Sequence, residues 1–343
     1  MIKDKSEIEP KTGDAASSEL AGVTVVVPCY NAEAHLKVTV DSLLAQTCVP
    51  DEIILVDDGS KDRTAELGSS YGGIVKVIRQ PNSGAAVARY KGVVSASHPI
   101  IVFIDAGDTA APEKVESYRA ALQVHPECVL AFGVTWNTAK DRPARSPFTS
   151  GPLDGSFTVL SDPLNFMLGH FWPITGVMDI AVRRAVALDS LNVSPFYRVA
   201  NDYAAQVKTA QFGPFVHVAR VTSEFVFLPK GLTQSHGLPL QVAYALCGAV
   251  DAYELSPARG DLAVLQARVD SDVHKSLLVA YLRKNWPLAR RLCKILVRYG
   301  AITHFPRRSW WALKQSHADN QLENAAILQR VVSGILHISQ RRQ

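Results

Sequence analysis

Asp105 and Asp108 stand three positions apart in the stretch Ile100–Asp108, where five apolar, mostly β-branched residues run into the first carboxylate. Such a run reads as a strand buried in a parallel sheet, with the chain leaving the sheet at the carboxylates. Carboxylates in that place are either solvated caps of the turn or oxygen ligands for a hard divalent cation beside a phosphate. Two more polar pairs follow the same pattern. Tyr30 and Asn31 come after Val23–Val27, a run that Pro28 ends, and Asp57 and Asp58 come after Glu52–Val56. Ligands of open α/β sheets bind outside the carboxyl ends of the strands. Three polar turns on that one edge therefore point to a site, against the alternative of three independent Asx turns. A crevice of carboxylates, one aromatic ring and few glycines would hold phosphates through a cation rather than through backbone amides. Tyr30 either stacks on a base or packs at the sheet edge.

The elements that must position these groups alternate. Val23–Val27, Glu52–Val56, Val75–Ile78 and the run before Asp105 read as strands. Between them Asn31 is placed to N-cap a helix with Glu33 in its first turn and Leu36, Val40, Leu43 and Leu44 on one face. Thr64–Gly68 is a short helix. Asn82-Ser83-Gly84 opens another through Ser95, with Val87, Tyr90 and Val94 inward. This rhythm predicts an α/β fold, a doubly wound, mostly parallel sheet flanked by helices. No GxGxxG follows the first strand and no GxxxxGK[ST] occurs, which argues against hydride transfer and P-loop chemistry. Pro28-Cys29-Tyr30-Asn31 is also unlike the glycine-rich loop that nucleotidyl transfer would place there.

Farther on, Pro112 suits the first turn of a helix carrying Val115, Tyr118 and Leu122, and Cys128–Val134 reads as a strand. Residues 138–160, with Pro143, Pro147, Gly151, Pro152 and Gly155, read as a long loop. Trp172–Gly176 either lines a ligand site or packs in the core. Asp202 opens a helix with Tyr203, Val207 and Ala210 at core spacing, where an acid suits the helix dipole. Phe215–Val218 and Phe225–Leu228 read as strands. His236 lies in a loop. Gln241–Ala252, Leu262–Leu282, Pro287–Tyr299 and Gln321–Leu336 read as helices, the third with Arg290, Arg291, Lys294 and Arg298 on one face and Leu288, Leu292, Ile295 and Leu296 on the other.

Composition bounds the partners. The 343 residues are 47% hydrophobic and 20% charged, ordinary for a globular chain of one large or two smaller domains. Residues 1–20 are polar, lack the apolar core of a signal peptide, and read as a loose tail. Five cysteines without CxxC spacing suit reduced thiols in the cytoplasm. No run approaches a membrane span. Residues 281–343 hold twelve Lys and Arg against Asp319 and Glu323, a net +10 in a chain of net +4, which leaves −6 on residues 1–280. A basic amphipathic helix near Trp286, Trp310 and Trp311 suits the surface of an anionic membrane; the alternative is a helical bundle with a solvated basic face. No nucleic-acid motif accompanies the charge, so nucleic acid is not an expected partner.

Four segments carry a resemblance. VVVPCYNAE (25–33), VDDGSKD (56–62), NSGAAVAR (82–89) and FIDAGD (103–108) come in the order and spacing of the family 2 nucleotide-sugar glycosyltransferases of GT-A fold. The resemblance covers about residues 22–230. It implies a catalytic domain over 21–238, followed by a helical basic region over 239–343. It implies that Pro28, Tyr30 and Asn31 line the nucleotide site, with Tyr30 stacked on the base and Asp57 or Asp58 at its edge, and that Arg89 lies near the diphosphate. Asp105 and Asp108 match the family's DxD-type motif, expected to hold Mg²⁺ or Mn²⁺, although Gly107 stands where many members have another carboxylate. Asp202 matches the catalytic base, with Asn201 in place of the usual glutamate, and His236 is placed to reach the donor phosphates or metal. The activity implied is inverting transfer from a nucleotide sugar, a UDP-sugar first, to a hydroxyl of a glycan or lipid-linked saccharide, in the cytoplasm or at the inner face of the plasma membrane. Gly107 and Asn201 keep a second reading open, a non-catalytic nucleotide-sugar-binding or scaffold protein of a glycan-assembly complex.

Overall fold

The computed structural model describes residues 21–143, 148, 151–170, 179–197, 199–225 and 238–299. The tail over 1–20, Trp172–Gly176, His236 and the helix expected over 321–336 lie outside them. Ten strands form one sheet: β1 (Val23–Cys29), β2 (Glu52–Asp57), β3 (Val75–Arg79), β4 (Ile100–Phe103), β5 (Thr109–Ala110), β6 (Leu130–Asn137), β7 (Arg142–Pro143), β8 (Phe157–Leu160), β9 (Ile180–Arg183) and β10 (Phe215–Phe225). Their order is β3-β2-β1-β4-β9-β6-β10-β5, with β7 on β6 and β8 on β10. The first four are parallel. β9 runs antiparallel to both β4 and β6, so β6 points the same way as β4, and β10 pairs parallel with β6. The result is a mixed, mostly parallel sheet whose site-bearing strand ends share one edge.

The helices are α1 (Leu36–Leu44), α2 (Thr64–Ser69), α3 (Ala85–Ser95), α4 (Lys114–Val124), α5 (Pro163–Gly169), α6 (Arg184–Ser190), α7 (Asn201–Thr209), α8 (Leu238–Leu255), α9 (Leu262–Leu282) and α10 (Trp286–Tyr299). Side chains of β1 alternate between two cores. Val23, Val25 and Val27 join Leu36, Val40 and Leu43 of α1 and Val115 and Tyr118 of α4. Val26 joins a larger core with α3, α7 and α8–α10. With both faces covered, every residue of β2 is buried, including its terminal acids Glu52 and Asp57. Glu52 accepts from Thr24 Oγ1 (2.7 Å), Lys76 Nζ (2.7 Å) and Ser97 N (2.9 Å). Burial pushes its carboxyl up, but those donors outweigh burial and hold it at about 2.

Several sequence expectations are corrected. Asn31 does not cap α1: His35 holds that place without a side-chain bond, and no acid lies in the first turn. Asn31 sits at φ 49°, where its Oδ1 accepts from Lys61 N (2.8 Å), while Glu33 accepts from Arg63 N and Nε. The inward face of α3 is Ala88, Arg89, Gly92 and Val93, while Val94 is 46% exposed. Gly92 turns the helix: a Cβ there would fall 2.3 Å from Val26 Cγ1, so the helix rides directly on β1. The segment 138–160 contains β8, because antiparallel pairing with β10 satisfies a backbone that sequence pattern left as loop. The strand expected over 215–218 continues unbroken to Phe225 through bulges, which displace its alternation.

The C-terminal helices share the larger core. Nearly every side chain of α8 between Leu240 and Ala252 is buried, and Gly248 faces Ala204 of α7. The basic face of α10 is partly spent within the protein: Arg291 pairs with Asp251 and Glu254, and Arg298 with Glu254 at 3.0 Å. Among the described residues no helix is long and apolar enough to cross a membrane.

His217 generates a stability prediction. Its ring is buried against Phe132 (5.1 Å) and Phe148 (5.2 Å), Nε2 has no hydrogen-bond partner, and burial lowers its pKa from 6.5 to about 4. The native state therefore keeps His217 neutral while the unfolded chain takes up a proton below 6.5. Stability from this site is full above pH 6.5 and falls toward pH 4, by up to about 3 kcal/mol. Thermal melts across that range are expected to show a steeper acid loss for the wild type than for His217→Phe; parallel losses would remove His217 as the cause.

Candidate active site

The turns at the ends of β1, β2 and β4 and the start of α7 meet. Cys29 and Asp57 are partners in the β1–β2 register, and Asp58 N donates to Cys29 O (2.8 Å). Tyr30 projects beyond them, 49% exposed, at the mouth of the site. Asp57 and Asp58 are buried and already bonded. Asp57 accepts from Ser60 N (3.0 Å) and Arg79 Nε (2.8 Å). Asp58 accepts from Gln80 Nε2, Ser83 N and Gly84 N, each at 2.8 Å. It thus ties the β2 turn to the loop that leads into α3. Gly59 makes that approach possible: at φ 77°, any Cβ would fall 2.8 Å from Asn82 N.

α3 carries Arg89 inward, and the guanidinium is the hub of the site. It donates from Nη2 to Asp105 Oδ1 (2.6 Å) and from Nη1 to Asn201 Oδ1 (2.8 Å), while Nε is buried without a hydrogen-bond partner. Arg89 therefore joins the end of β4 to the first turn of α7, where Asn201 lies 112 positions from Arg89 itself. The side chain that departs from the family's usual glutamate is the one whose amide oxygen accepts this bond. The sequence resemblance placed Arg89 beside the diphosphate; its bond to Asn201 could not be read from any local signal, because it spans two elements.

The Asp105–Asp108 turn is closed by Asp108 N donating to Asp105 O (3.1 Å), with Gly107 at φ 106°. That is the third position of a tight turn, where a positive φ calls for glycine. Thr39 of α1 pins the turn, accepting from Gly107 N (2.9 Å) and donating to Asp108 O (2.8 Å). Asp108 is buried, whereas Asp105 is a third exposed. Two carboxylates on one turn offer the oxygen donors a hard cation takes. Among the described residues, no cluster of three or more side chains could cage such an ion.

Asp202 lies next to Asn201, following Ala200 at φ 60°, a left-handed conformation that costs an alanine about 1–2 kcal/mol. Burial raises the Asp202 pKa; the Tyr203 N–H and Arg89 oppose the rise, and Asp105 adds to it. The helix beneath is anchored from the C-terminal region. Tyr203 OH donates to Met167 O (2.6 Å), and buried Arg268 of α9 reaches the same carbonyl (3.0 Å), His170 O (3.0 Å) and the Tyr203 ring. Arg268 lies outside every sequence motif.

The Gly107 geometry makes a prediction. Gly107→Ala places a Cβ at a positive φ and is expected to lower stability by about 1–2 kcal/mol, about 1.5–3 °C in Tm; an unchanged melting curve would show the turn has no need of glycine.

Residues 24–185 match the profile described as Glycosyl transferase family 2. An uncharacterized glycosyltransferase of Escherichia coli K12, YibD, is 35% identical over 143 residues, 38% of this chain and 42% of that one. Validoxylamine A glucosyltransferase of Streptomyces hygroscopicus subsp. limoneus is 36% identical over 122 residues, 34% of this chain and 26% of its own. This chain thus spans less than half the length of both. Among solved structures, TarS residues 1–349 of S. aureus, in complex with UDP-GlcNAc, superposes with a TM-score of 0.61 at 14% identity, covering 88% of this chain and 92% of that one. Residues 24–185, which carry the four ordered motifs, thus match the family 2 glycosyltransferases, on a fold of GT-A architecture.

Proposed function

We propose that the protein is an inverting glycosyltransferase that moves a sugar from a nucleotide-sugar donor, a UDP-sugar, to a hydroxyl of a glycan or lipid-linked saccharide. The observation that carries this reading is the Arg89 bridge, in which one guanidinium bonds Asp105 after β4 and Asn201, the residue before Asp202, in the first turn of α7. In this reading the exposed ring of Tyr30 stacks on the base, while Pro28, Asn31, Asp57 and Asp58 shape the pocket edge. Asp58 acts chiefly by holding the Ser83–Gly84 loop against it. Arg89 lies beside the diphosphate. Asp108, with Asp105, would hold Mg²⁺ or Mn²⁺, most of the remaining ligands coming from the donor. When bound, the ion supplies charge neutralisation to the departing diphosphate.

Asp202 takes the proton of the acceptor hydroxyl as that oxygen attacks the anomeric carbon, and the sugar inverts. Its raised pKa suits a general base better than an ordinary surface carboxylate. Support for the donor class comes from a neighbouring fold solved with UDP-GlcNAc. The work is placed in the cytoplasm, with a peripheral contact to anionic lipid through the basic C-terminal region; equal partition onto anionic and neutral liposomes would end that part. The scaffold alternative is less well supported, since Gly107 and Asn201 each have a structural use and Asp202 is kept.

Three outcomes test the reading. A panel of UDP-, dTDP- and GDP-sugars is expected to give slow release of nucleoside diphosphate with Mn²⁺ and much less with chelator; no release and no binding across the panel sinks it. Asp202→Asn is expected to abolish transfer, retain nucleotide binding, and raise Tm at neutral pH. The sign follows from the raised pKa. Ionised Asp202 costs stability above its folded pKa, and the neutral amide removes that cost. Turnover by this variant removes Asp202 from the mechanism. Arg89→Met takes away the charge that favours ionised Asp202, so the acid limb of its residual pH–rate profile is expected to move to higher pH; an unmoved limb detaches Arg89 from the base.

A further inference from the structure

Among the described residues an open cleft of about 520 Å³ begins three residues along the chain from the Asp105–Asp108 turn, lined by Ala111, Glu113, Trp136, Asp154, Arg220 and Glu224. Its position follows from the strands. β5 begins at the residue after Asp108, and in the β5–β10 register Thr109 faces Glu224. Ala111 is three residues past Asp108, about 10 Å along an extended chain.

The cleft stands on a rigid floor. Chain neighbours of its lining residues turn inward to one buried network. Lys114 pairs with Asp179 and donates to Ser223 Oγ (2.7 Å). Asp179 also accepts from Tyr118 OH (2.7 Å), Thr222 Oγ1 (2.8 Å) and Thr135 Oγ1 (3.1 Å). Burial pushes the Asp179 carboxyl up, but Lys114 and the hydroxyls outweigh it and hold the pKa below the usual range. Glu113, Trp136 and Glu224 are each one residue from a member of that network. Arg220 is held as well: it pairs with Glu113 (3.4 Å), and Gly155, at φ 82°, makes room for it, since a Cβ there would fall 2.9 Å from Nη2.

The lining matches a sugar ring. An indole offers a broad apolar surface for the C–H face of a pyranose, while carboxylates accept from hydroxyls and a guanidinium donates to them. Three carboxylates against one guanidinium leave the lining two charges negative, which disfavours a polyanion. We propose that this cleft is a distal acceptor subsite, holding a neutral or amino-bearing sugar of the acceptor beyond the unit that is glycosylated. The proposal rests on the glycosyl-transfer reading above for the word acceptor, and on the cleft itself for the sugar.

The test follows the Trp136 indole N–H by NMR in the full chain, its resonance identified with Trp136→Phe. Probes are cellotetraose and chitotetraose (neutral), the fully deacetylated chitotetraose (amino-bearing) and tetragalacturonate (anionic). Saturable movement of the resonance is expected with neutral or amino-bearing probes and not with tetragalacturonate. Trp136→Ala is expected to weaken binding at least about tenfold, and Glu224→Gln to reduce the preference over tetragalacturonate. No movement with any neutral or amino-bearing probe up to about 10 mM, or equal binding of tetragalacturonate, overturns the proposal. The two readings fail separately: nucleotide release by the wild type without saccharide binding at Trp136 sinks this subsite alone, and binding without nucleotide release from any donor sinks the transfer reading.

Discussion

A guanidinium does not give up its proton inside a protein, so burying Arg89 beneath the crevice obliges the fold to bring acceptors to it. Asp105 supplies a carboxylate from β4 and Asn201 an amide oxygen from α7. That requirement fixes the distance between the Asp105–Asp108 turn and the helix that carries Asp202. Because Asn201 is neutral, the cluster keeps more positive charge than a glutamate in its place would leave. Part of it acts on Asp202, opposing the rise that burial imposes. The same cation thus positions Asp202 and tunes it.

Support for that arrangement comes from the far end of the chain. Arg268 of α9 gathers the last carbonyls of α5 and lies against Tyr203, the residue after Asp202. α8 packs on α7, with Gly248 facing Ala204. The C-terminal helices therefore act as a strut beneath the helix of the candidate base, and their core is continuous with the sheet's. Their basic surface is a smaller free resource than the composition suggests, since α8 supplies acids to α10.

On the other side of the site, rigidity has a different origin. The Asp105–Asp108 turn is clamped by Thr39 through two backbone bonds, and the strands beyond it are locked by the buried Lys114–Asp179 pair. Breaking such a pair from one side leaves an uncompensated buried charge, which makes it a stiff joint even where its net contribution to stability is small. Trp136, Glu113 and Glu224 inherit that stiffness as chain neighbours.

The alternating apolar runs of residues 23–104 determined the parallel half of the sheet, because a strand buried on both faces must be continuously apolar and its helices amphipathic. The polar turns at 30–31, 57–58 and 105–108 were legible for the same reason: polar residues mark where a buried strand leaves the sheet. Gly107 was visible as a departure, but its reason, a backbone angle of 106°, exists only in the folded turn. Helical spacing alone turns Val94 inward, whereas the fold turns it out, since the deciding contact is Gly92 against Val26, a neighbour 66 positions away. The hub itself was beyond the sequence. Arg89, Asn201, Tyr203 and Arg268 meet through bonds between elements that no local period encodes, and only tertiary packing decides which buried donor finds which acceptor.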